Sequence, residues 1–290
     1  MSALNDLLRL VRLRVEVYHN ARVCGDWLIR EHSEGNTCFH MPTQGDCRLT
    51  VPGHGEWHLA EGDLVLFPRE IAHTMTPVGP ASGPQRHLAI ASAQDQPGTS
   101  MLCGEVVFQH TGNAALLDSL PPVFILPRTH DTAWLTTLLQ LIVAESLASE
   151  TPSNVVLDRL CELLFVFALR HYASAISGEP SLLNLYGDAR LAKALRAVHA
   201  DPRRDWQLET LAAEATMSRT RFAKAFRDLS GWTAMHYVTW WRMQLARSLL
   251  ESGRGVADVA DAVGYRSEAA FSRAFSKAFG TSAGAVRRAS

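Results

Sequence analysis

One pattern occurs twice in the last third of this 290-residue chain. Residues 208–214 match residues 256–262 at an offset of 48, and residues 218–231 match residues 267–280 at an offset of 49. The extra residue of the second copy lies in the central turn, where an insertion costs least. Each copy predicts two short helices joined by a tight turn, so the sequence predicts two helix-turn-helix units.

The residues that match between the copies indicate how each second helix is oriented. Ser218 and Ser267 are predicted N-caps, because a serine hydroxyl accepts a hydrogen bond from the first turn of a helix. Phenylalanines four residues apart lie on one helix face and anchor it in the core. They are Phe222 and Phe226 in the first copy, and Phe271 and Phe275 in the second. The opposite faces carry the predicted DNA contacts, Arg219, Thr220, Ala223 and Lys224, and Glu268, Ala269, Ser272 and Arg273.

These outward residues suit helices that enter the major groove of DNA. Short side chains allow a close approach to base edges, and Lys or Arg donates to guanine or to phosphate. Lys224 and Arg273 hold the same position in the two copies. Between the copies, residues 234–251 predict one helix of about 18 residues and roughly 27 Å. That length suits two recognition helices about 34 Å apart, in successive major grooves.

The charges are divided unevenly along the chain. Residues 188–290 hold 17 Lys and Arg against 10 Asp and Glu, whereas residues 1–187 hold 11 against 19. A net charge of +7 beside one of −8 is typical of a nucleic-acid-binding domain joined to a domain of another kind. No apolar run reaches the roughly 18 residues of a membrane span, and the first residues do not resemble a signal peptide. We therefore expect a cytoplasmic protein with no membrane partner.

Residues 188–290 resemble the DNA-binding domain of the AraC/XylS family of transcription regulators. The resemblance rests on residues 211–226, on the connecting stretch 241–250 and on residues 256–275, and it covers about a third of the chain. It implies an all-α domain, double-stranded DNA and RNA polymerase as partners, and no enzymatic activity.

Short β-type runs alternate with turn signals from about residue 15 to residue 110, which indicates a β-sandwich or barrel. The runs lie at 27–30, 47–51, 57–59, 64–67, 87–90 and 103–108. After Asp131 the apolar residues recur at the spacing of a helix. The first predicted helix carries Trp134, Leu138, Leu141, Ile142 and Glu145 and ends near Ser149. The second is capped by residues 151–154 and carries Val156, Leu160, Leu163, Leu164 and Phe167.

Two interpretations of the second helix stay open, because its apolar face either packs on the β-domain or is covered by a second subunit in a homodimer. After the second helix the helical spacing of apolar residues is lost, which indicates a linker. The predicted segments are a barrel at 1–130, a helical segment at 131–175, the linker at 176–187 and the DNA-binding domain at 188–290.

Residues 39–49 and 61–73 resemble the two half-motifs of a cupin barrel, and residues 101–108 with 120–122 are similar to cupin-like sensor domains found ahead of such DNA-binding domains. The resemblance implies an α+β protein of two domains, a cupin-like barrel with a helical hairpin and an all-α domain with two helix-turn-helix motifs. Enzymatic cupins hold a metal with two His and a Glu from the first motif and one His from the second. The matching residues here are His40 and His73, with Cys38 in place of a histidine.

The role of these histidines has two interpretations. His40 and His73 hold a divalent metal such as Zn²⁺, completed by Cys38 or Cys103, or they hydrogen-bond within the barrel. Cys24 and Cys103 are redox candidates, because the resemblance extends to family members that sense reactive chlorine species through cysteine oxidation. A thiol switch needs an accessible thiolate and a resolving partner; the alternative is that these cysteines are small buried apolar residues.

The function expected from these observations is transcription regulation by a barrel that senses a small molecule, a metal or an oxidant and modulates promoter binding. Two alternatives are open. One is a metal-dependent cupin enzyme with an accessory DNA-binding module. The other is a constitutive DNA-binding protein whose barrel senses nothing.

Overall fold

The computed structural model describes residues 3–10, 13–30, 36–108, 114–117, 120–148, 154–174 and 180–289. The chain divides into two compact units. The β-unit comprises Leu13–Gln109 and Leu120–Leu169, and the helical unit comprises Met1–Arg12, His110–Ser119 and Arg170–Ser290. None of the helices within the described ranges is long and apolar enough to cross a membrane.

The described strands of the β-unit form two antiparallel sheets. The strands are β1 (Leu13–Cys24), β2 (Thr37–Gln44), β3 (Cys47–Val51), β4 (Gly55–Leu59), β5 (Leu64–Phe67), β6 (Thr74–Thr76), β7 (Arg86–Leu88), β8 (Thr99–Phe108) and β9 (Phe124–Leu126). One sheet has the order β7-β1-β8-β2-β5-β9 and the other β4-β3-β6. Val23 and Phe67 of the first sheet share a buried core with Leu49 and Met75 of the second, so the sheets pack face to face.

The predicted strands at 47–51, 57–59, 64–67 and 103–108 are confirmed. The prediction at 27–30 is wrong apart from a single bridge between Ile29 and Met75. The chain turns at Gly25, with φ of 82°, and Trp27 then fills the core at 1% exposure. The prediction at 87–90 is wrong at its end, because the strand stops at Leu88 and a 3₁₀ turn follows at Ile90–Ser92.

The two helices predicted after the barrel are present as α3 (Ala133–Ala148) and α4 (Asn154–Ser174). Leu141 of α3, and Val156 and Leu163 of the apolar face predicted for α4, are 50%, 42% and 48% exposed within one chain. The buried faces carry Leu135, Leu138, Leu139 and Ile142 on α3, and Leu157, Cys161, Leu164 and Phe165 on α4. Both helices are apolar over most of their circumference. The spacing of their apolar residues therefore does not indicate which face is packed. Residues 151–153 of the predicted cap lie outside the described residues.

The described helices of the helical unit are α1 (Ala3–Leu10), α2 (Ala114–Leu117), α5 (Asn184–Gly187), α6 (Ala189–Ala200), α7 (Leu208–Glu214), α8 (Arg219–Ser230), α9 (Ala234–Glu251), α10 (Val256–Ala262), α11 (Glu268–Phe279) and α12 (Ala283–Ala289). The long helix predicted at 234–251 is confirmed as α9. Of the linker expected at 176–187, residues 176–179 lie outside the described part, and Ser181 is buried with its N–H bonded to the Leu229 carbonyl at 2.8 Å.

Helix α1 precedes the strands in sequence but packs against α6 and α9 of the helical unit. The Asp6 carboxylate of α1 lies 3.6 Å from Nδ1 of His199. The His199 ring stacks on Trp241 of α9 with centroids 3.5 Å apart. The sequence placed residues 1–12 in the barrel, whereas the apolar face of α1, with Leu4 and Leu7, is buried within the helical unit.

Candidate nucleic-acid interface and the interior of the β-unit

The second helix of each helix-turn-helix unit, here called the recognition helix, is fixed by the same pair of aromatic residues. Phe222 and Phe226 of α8 are at most 1% exposed, with ring centroids 5.7 Å apart. Phe271 and Phe275 of α11 are fully buried, with centroids 5.6 Å apart. Because matching faces of the two helices are buried, matching faces are turned to solvent.

The ends of the recognition helices are also repeated. Ser218 and Ser267 are the N-caps, as predicted, and each hydroxyl accepts a hydrogen bond from the backbone N–H three residues further on. Gly231 and Gly280 end the helices in the left-handed conformation, with φ of 74° and 67°. Glycine adopts this conformation at little cost, so both helices stop at matching positions.

The two turns share one left-handed residue. Thr216 has φ of 57°, and Gly264, 48 residues later, has φ of 82°. Among the residues that the structure describes, Thr216 is the one non-glycine residue with positive φ. The extra residue of the second turn is Arg266, which precedes the Ser267 cap and has a 94% exposed side chain.

The solvent face of α8 holds the four residues predicted for the first copy. Arg219, Thr220 and Lys224 are exposed, and Ala223 is half-buried between them. The Lys224 ammonium lies 2.6 Å from the carboxylate of Asp228. Arg219 pairs with Glu209 of α7 at 2.9 Å, so both cations are held by acids at the surface.

The solvent face of α11 holds the four residues predicted for the second copy. Glu268, Ala269 and Arg273 are exposed, and Ser272 is half-buried. Over the described ranges Arg273 has no ion pair. The position of Asp228 in the first helix is taken by Lys277 in the second. Arg273 therefore stands beside another cation rather than beside an acid.

Further exposed cations lie on the recognition helices beyond those predicted as contacts. They are Arg221 and Arg227 on α8 and Lys277 on α11. The sequence also predicts that Arg227 and Lys277 face outward, but the repeat does not mark these three cations as equivalent contacts, because Ala270, Ser276 and Asp228 hold the matching positions.

Four buried side chains meet inside the β-unit. Cys38 and His40 lie on β2, while Glu70 and His73 follow β5, and their exposed fractions are 1%, 0%, 6% and 3%. His40 Nε2 lies 3.8 Å from the Cys38 sulfur and 3.0 Å from His73 Nε2. His40 thus lies within contact distance of both Cys38 and His73. Among the described residues, the group whose possible ligand atoms all lie within 4.8 Å of one another is Cys38, His40 and Glu70, and it contains neither His73 nor Cys103.

The fold explains this placement. Side chains two residues apart on a strand share a face, which puts Cys38 beside His40. Cys38 pairs in register with Phe67, and the Phe67 ring stacks on His73 with centroids 4.4 Å apart. Sequence reasoning missed Glu70, because it sought a glutamate only in the first half-motif. The available signal was that Glu70 precedes His73 by three residues in the second half-motif.

Burial governs the protonation of the cluster. Burial and the nearby Glu70 carboxylate raise the pKa of the Cys38 thiol, and burial together with His73 lowers the pKa of His40 well below its usual value. His73 Nδ1 donates to the carbonyl of Ile71 at 2.8 Å, since a carbonyl can only accept. A second nitrogen of the same ring, Nε2, is directed towards His40.

The structure does not bring the two redox candidates together. Cys24 and Cys103 are 1% and 2% exposed. In the β1–β8 register, Val23 lies opposite Thr99 and His19 opposite Cys103. Cys24 is thus about five residues, or roughly 16 Å, from Cys103 along the strands, whereas a disulfide needs Cα atoms within about 7 Å.

A cavity of about 530 Å³ lies in the β-unit between the six-stranded sheet and α3. Gln44, Ser100 and Arg128 line it on one side, and Leu139 and Val143 of α3 line it on the other. This volume lies within the usual range of small-molecule sites, roughly 300–1,000 Å³.

Two helix-turn-helix units with repeated caps and basic outward faces, combined with a two-sheet β-unit, define a DNA-binding transcription regulator. The cupin family matches residues 2–174, and the helix-turn-helix domain family matches residues 211–289. The chain belongs to the AraC-type regulators that carry an amino-terminal cupin domain.

Curated relatives match over nearly the whole chain. The chain is 28% identical to the RCS-specific HTH-type transcriptional activator RclR of Escherichia coli, over 99% of this chain and 97% of that protein. It is 32% identical to an HTH-type transcriptional regulator of Haemophilus influenzae, over 95% and 94%, and 31% identical to an AraC-like transcription regulator of Streptomyces lividans, over 99% and 98%. These relatives are regulators, so the chain is a DNA-binding regulator and not an enzyme, and the metal-dependent enzyme is not favoured.

Proposed function

We propose that this regulator binds specific promoter sequences through α8 and α11, under the control of a ligand bound by the β-unit. The observation that carries the first part is the repetition of Lys224 and Arg273. Both are exposed on the face opposite a buried phenylalanine pair, and each follows a short residue, Ala223 or Ser272. A merely solvated helix face does not require a cation and a small neighbour to recur at the same position.

The length of α9 supports contact with two successive grooves. It has 18 residues, which corresponds to about 27 Å. With the turns at its ends, it suits recognition helices spaced by one DNA turn of about 34 Å. The net charge of +7 over residues 188–290 supplies attraction to phosphates. A promoter-bound chain would act in the cytoplasm, and RNA polymerase is the partner through which it would change transcription.

Selection of genomic DNA fragments by the full chain, followed by footprinting, tests this proposal. We expect enriched fragments that share one sequence pattern, with two protected major-groove segments about 10–10.5 base pairs apart. Enrichment without a shared sequence, or protection of one groove segment alone, would contradict it.

We further propose that Cys38, His40, Glu70 and His73 hold one divalent metal ion, with Zn²⁺ the best match. Zinc binds nitrogen at about 2.0–2.1 Å and sulfur at about 2.3 Å, which in a tetrahedron separates S from N by about 3.6 Å and N from N by about 3.3 Å. The structure has 3.8 Å and 3.0 Å.

Charge also supports a divalent ion at this place. A thiolate, a carboxylate and two neutral imidazoles carry a charge of −2, which an ion of charge +2 would neutralise in a buried site where net charge is costly. Four buried protein ligands leave no open position for a substrate, which is typical of structural rather than catalytic zinc.

Metal analysis of the full chain after zinc loading and dialysis tests this site. We expect about one ion per chain, lost in Cys38→Ser and in Glu70→Gln and retained in Cys103→Ser. Cobalt substitution should give a thiolate-to-metal absorption band that depends on Cys38. A wild-type chain without metal, or a Cys38→Ser chain that keeps it, would contradict the assignment.

The exposed apolar residues of the helical hairpin support a homodimer. Leu141, Val156 and Leu163 are each at least 42% exposed within one chain. Covering them with a second copy would remove apolar surface from water. Sedimentation should show a dimer that Leu163→Gln weakens; a wild-type monomer at micromolar concentration would contradict this.

An oxidant is a further candidate signal, because the name of the Escherichia coli relative describes it as RCS-specific. Cys24 and Cys103 are both buried, so an oxidant would reach them only after a local opening. If Cys103 is the sensor, Cys103→Ser should abolish an oxidant-induced change in operator affinity; a normal response in that variant would exclude Cys103. The cavity beside α3 offers better support for a small-molecule signal.

A further inference from the structure

The loop that joins α6 to α7, residues 201–207, is anchored in the first helix-turn-helix unit. Its Trp206 is 2% exposed, and the indole Nε1 donates to the Asp201 carbonyl at 2.9 Å. The Arg204 guanidinium lies over the Trp206 ring, 4.3 Å from its centroid, and pairs with Glu214 of α7 at 2.9 Å. These contacts make the α6–α7 loop a fixed part of the first unit.

The same loop also contacts the second unit, formed by α10 and α11. The Arg203 guanidinium lies 2.8 Å from the carboxylate of Asp261 on α10, and Arg266 lies 3.8 Å from the carboxylate of Asp205. Arg266 is the extra residue of the second turn, so the residue that the first copy lacks takes part in this contact. A Cβ atom on Gly264 of that turn would meet the Arg203 carbonyl oxygen at 2.8 Å, which shows how closely the two backbones approach.

Arg242 of α9 holds the α6–α7 loop from the helix that joins the two units. Its Nε donates to the Pro202 carbonyl and its Nη2 donates to the Arg204 carbonyl, both at 2.8 Å. The same Nη2 would lie 3.0 Å from a Cβ atom added to Gly264. One guanidinium therefore touches both the loop of the first unit and the turn of the second.

Helix α9 provides the other connection between the units. Near its start Tyr237 packs on Phe226 of α8, with ring centroids 5.9 Å apart, and at its end Leu250 shares a buried core with Phe271 of α11. Bending of α9, or a shift of either unit along it, would change the distance and the angle between α8 and α11. A second connection away from the helix axis, such as the α6–α7 loop, opposes both motions.

This stiffness matters because both recognition helices have to fit their grooves at the same time. One added base pair moves a groove segment by about 3.4 Å and turns it by about 34–36° around the duplex axis. Two linked contacts gain most when the connection matches the span between their sites, and the gain is lost when it does not. A stiff connection therefore makes DNA binding selective for the spacing of the two groove segments.

We propose that the α6–α7 loop and Arg242 set the operator spacing that this regulator accepts. Arg242 is half-buried and is a positioning residue, which acts on DNA through the placement of α8 and α11. The inference deepens the proposed function and rests on it, because it requires both recognition helices to bind one DNA duplex together.

Operators of altered spacing test the inference. The probe is the genomic fragment that the full chain protects over two groove segments, compared with the same fragment carrying one inserted base pair between the segments. The ratio of the two affinities is the spacing selectivity. We expect a ratio of about tenfold or more for the wild type and less than about threefold for Arg242→Met, which loses both bonds to the loop.

Arg247→Met is the matched control. Arg247 is another arginine of α9, with a side chain that is 16% exposed, and its ion pair with Glu251 lies within the helix. Its spacing selectivity should equal that of the wild type. Wild-type selectivity in Arg242→Met, or an equal loss in Arg247→Met, would overturn the inference.

The pair of Arg203 and Asp261 gives a second test, which stands even if Arg242→Met does not fold. Both side chains are exposed. Asp261→Arg places like charges together and should lower the spacing selectivity by about two- to fivefold. Adding Arg203→Asp to the same chain restores an opposite pair and should restore the selectivity. A ratio of affinities cancels any general gain from the added arginine. No loss in the single variant, or no recovery in the double variant, would overturn the inference.

The wild-type ratio separates this inference from the proposed function. A wild type that binds both fragments equally contradicts simultaneous binding in two grooves, and the inference with it. A spacing-selective wild type beside an equally selective Arg242→Met contradicts the inference alone.

Discussion

Thr216 and Gly264 occupy the same place in the two helix-turn-helix turns, and both have a left-handed backbone, with φ of 57° and 82°. A Cβ atom on Gly264 would lie 2.8 Å from the carbonyl oxygen of Arg203. The first turn, by contrast, holds a β-branched residue in this conformation. The turn geometry therefore requires a left-handed residue, which glycine supplies in one unit and a strained threonine in the other.

Thr216→Gly is expected to stabilise the helical unit by about 1 kcal/mol, because release of the left-handed strain outweighs the added flexibility of the unfolded chain. Gly264→Ala should destabilise it by about 2 kcal/mol or more, through the same strain and the contact with the Arg203 carbonyl. Urea unfolding of the two variants provides the measurement. A lower free energy of unfolding for Thr216→Gly would show that the threonine is not strained.

Asp228→Asn is expected to strengthen DNA binding about two- to fivefold, because it frees Lys224 from an exposed ion pair worth less than about 1 kcal/mol and removes a negative charge from the recognition helix. Titration of labelled operator DNA at two salt concentrations measures the effect. In a Lys224→Ala background the gain should shrink, as a double-mutant cycle would show. An equal gain in both backgrounds would mean that Asp228 acts independently of Lys224.

The stability of the helical unit should depend on pH through His199. Its side chain is 2% exposed, and burial lowers its pKa to about 3, so the imidazole is neutral despite the Asp6 carboxylate 3.6 Å away. In the unfolded chain the pKa is about 6.5. Between these values the unfolded chain binds the proton and the folded chain does not, so the free energy of unfolding falls as the pH drops, by about 1.4 kcal/mol per pH unit.

Urea unfolding of the full chain at pH 7, 6 and 5 measures this dependence, and the stabilisation should be fully present above about pH 6.5. His199→Gln should flatten the slope in this range, although it also removes the hydrogen bond to the Tyr237 hydroxyl. A wild-type slope in His199→Gln would assign the pH dependence to other groups.

The helical unit was largely predictable from the sequence. The repeat locates four helices and their turns, and Ser218 and Ser267 mark the starts of the recognition helices because capping is a local interaction. The period and length of residues 234–251 predicted α9. The repeat shows that Lys277 stands where the first helix has Asp228. It could not show that Lys224 pairs with Asp228 and Arg219 with Glu209, because side-chain pairing depends on rotamers.

The β-unit was less predictable, since its interactions join residues distant in sequence. Glu70 reaches the cluster of Cys38 and His40 only through the pairing of β2 with β5. From the sequence alone, Arg22 would be expected at the surface. The pairing of β1 with β8 and of β8 with β2 shows that it lies beside Ser100 and Gln44. The association of α1 with α6 and α9 likewise depends on tertiary packing, which no local pattern of residues 3–10 reveals.

Operator binding by Lys224→Ala and Arg273→Ala tests the central claim most directly, with Arg196→Ala as the control because Arg196 is exposed on α6, outside the recognition helices. We expect each of the first two variants to lose about 1–3 kcal/mol of binding free energy, or about 5- to 150-fold in affinity, with relaxed base preference at one position in each groove segment. The control should bind as the wild type does. Wild-type affinity and base preference in both Lys224→Ala and Arg273→Ala would contradict the account.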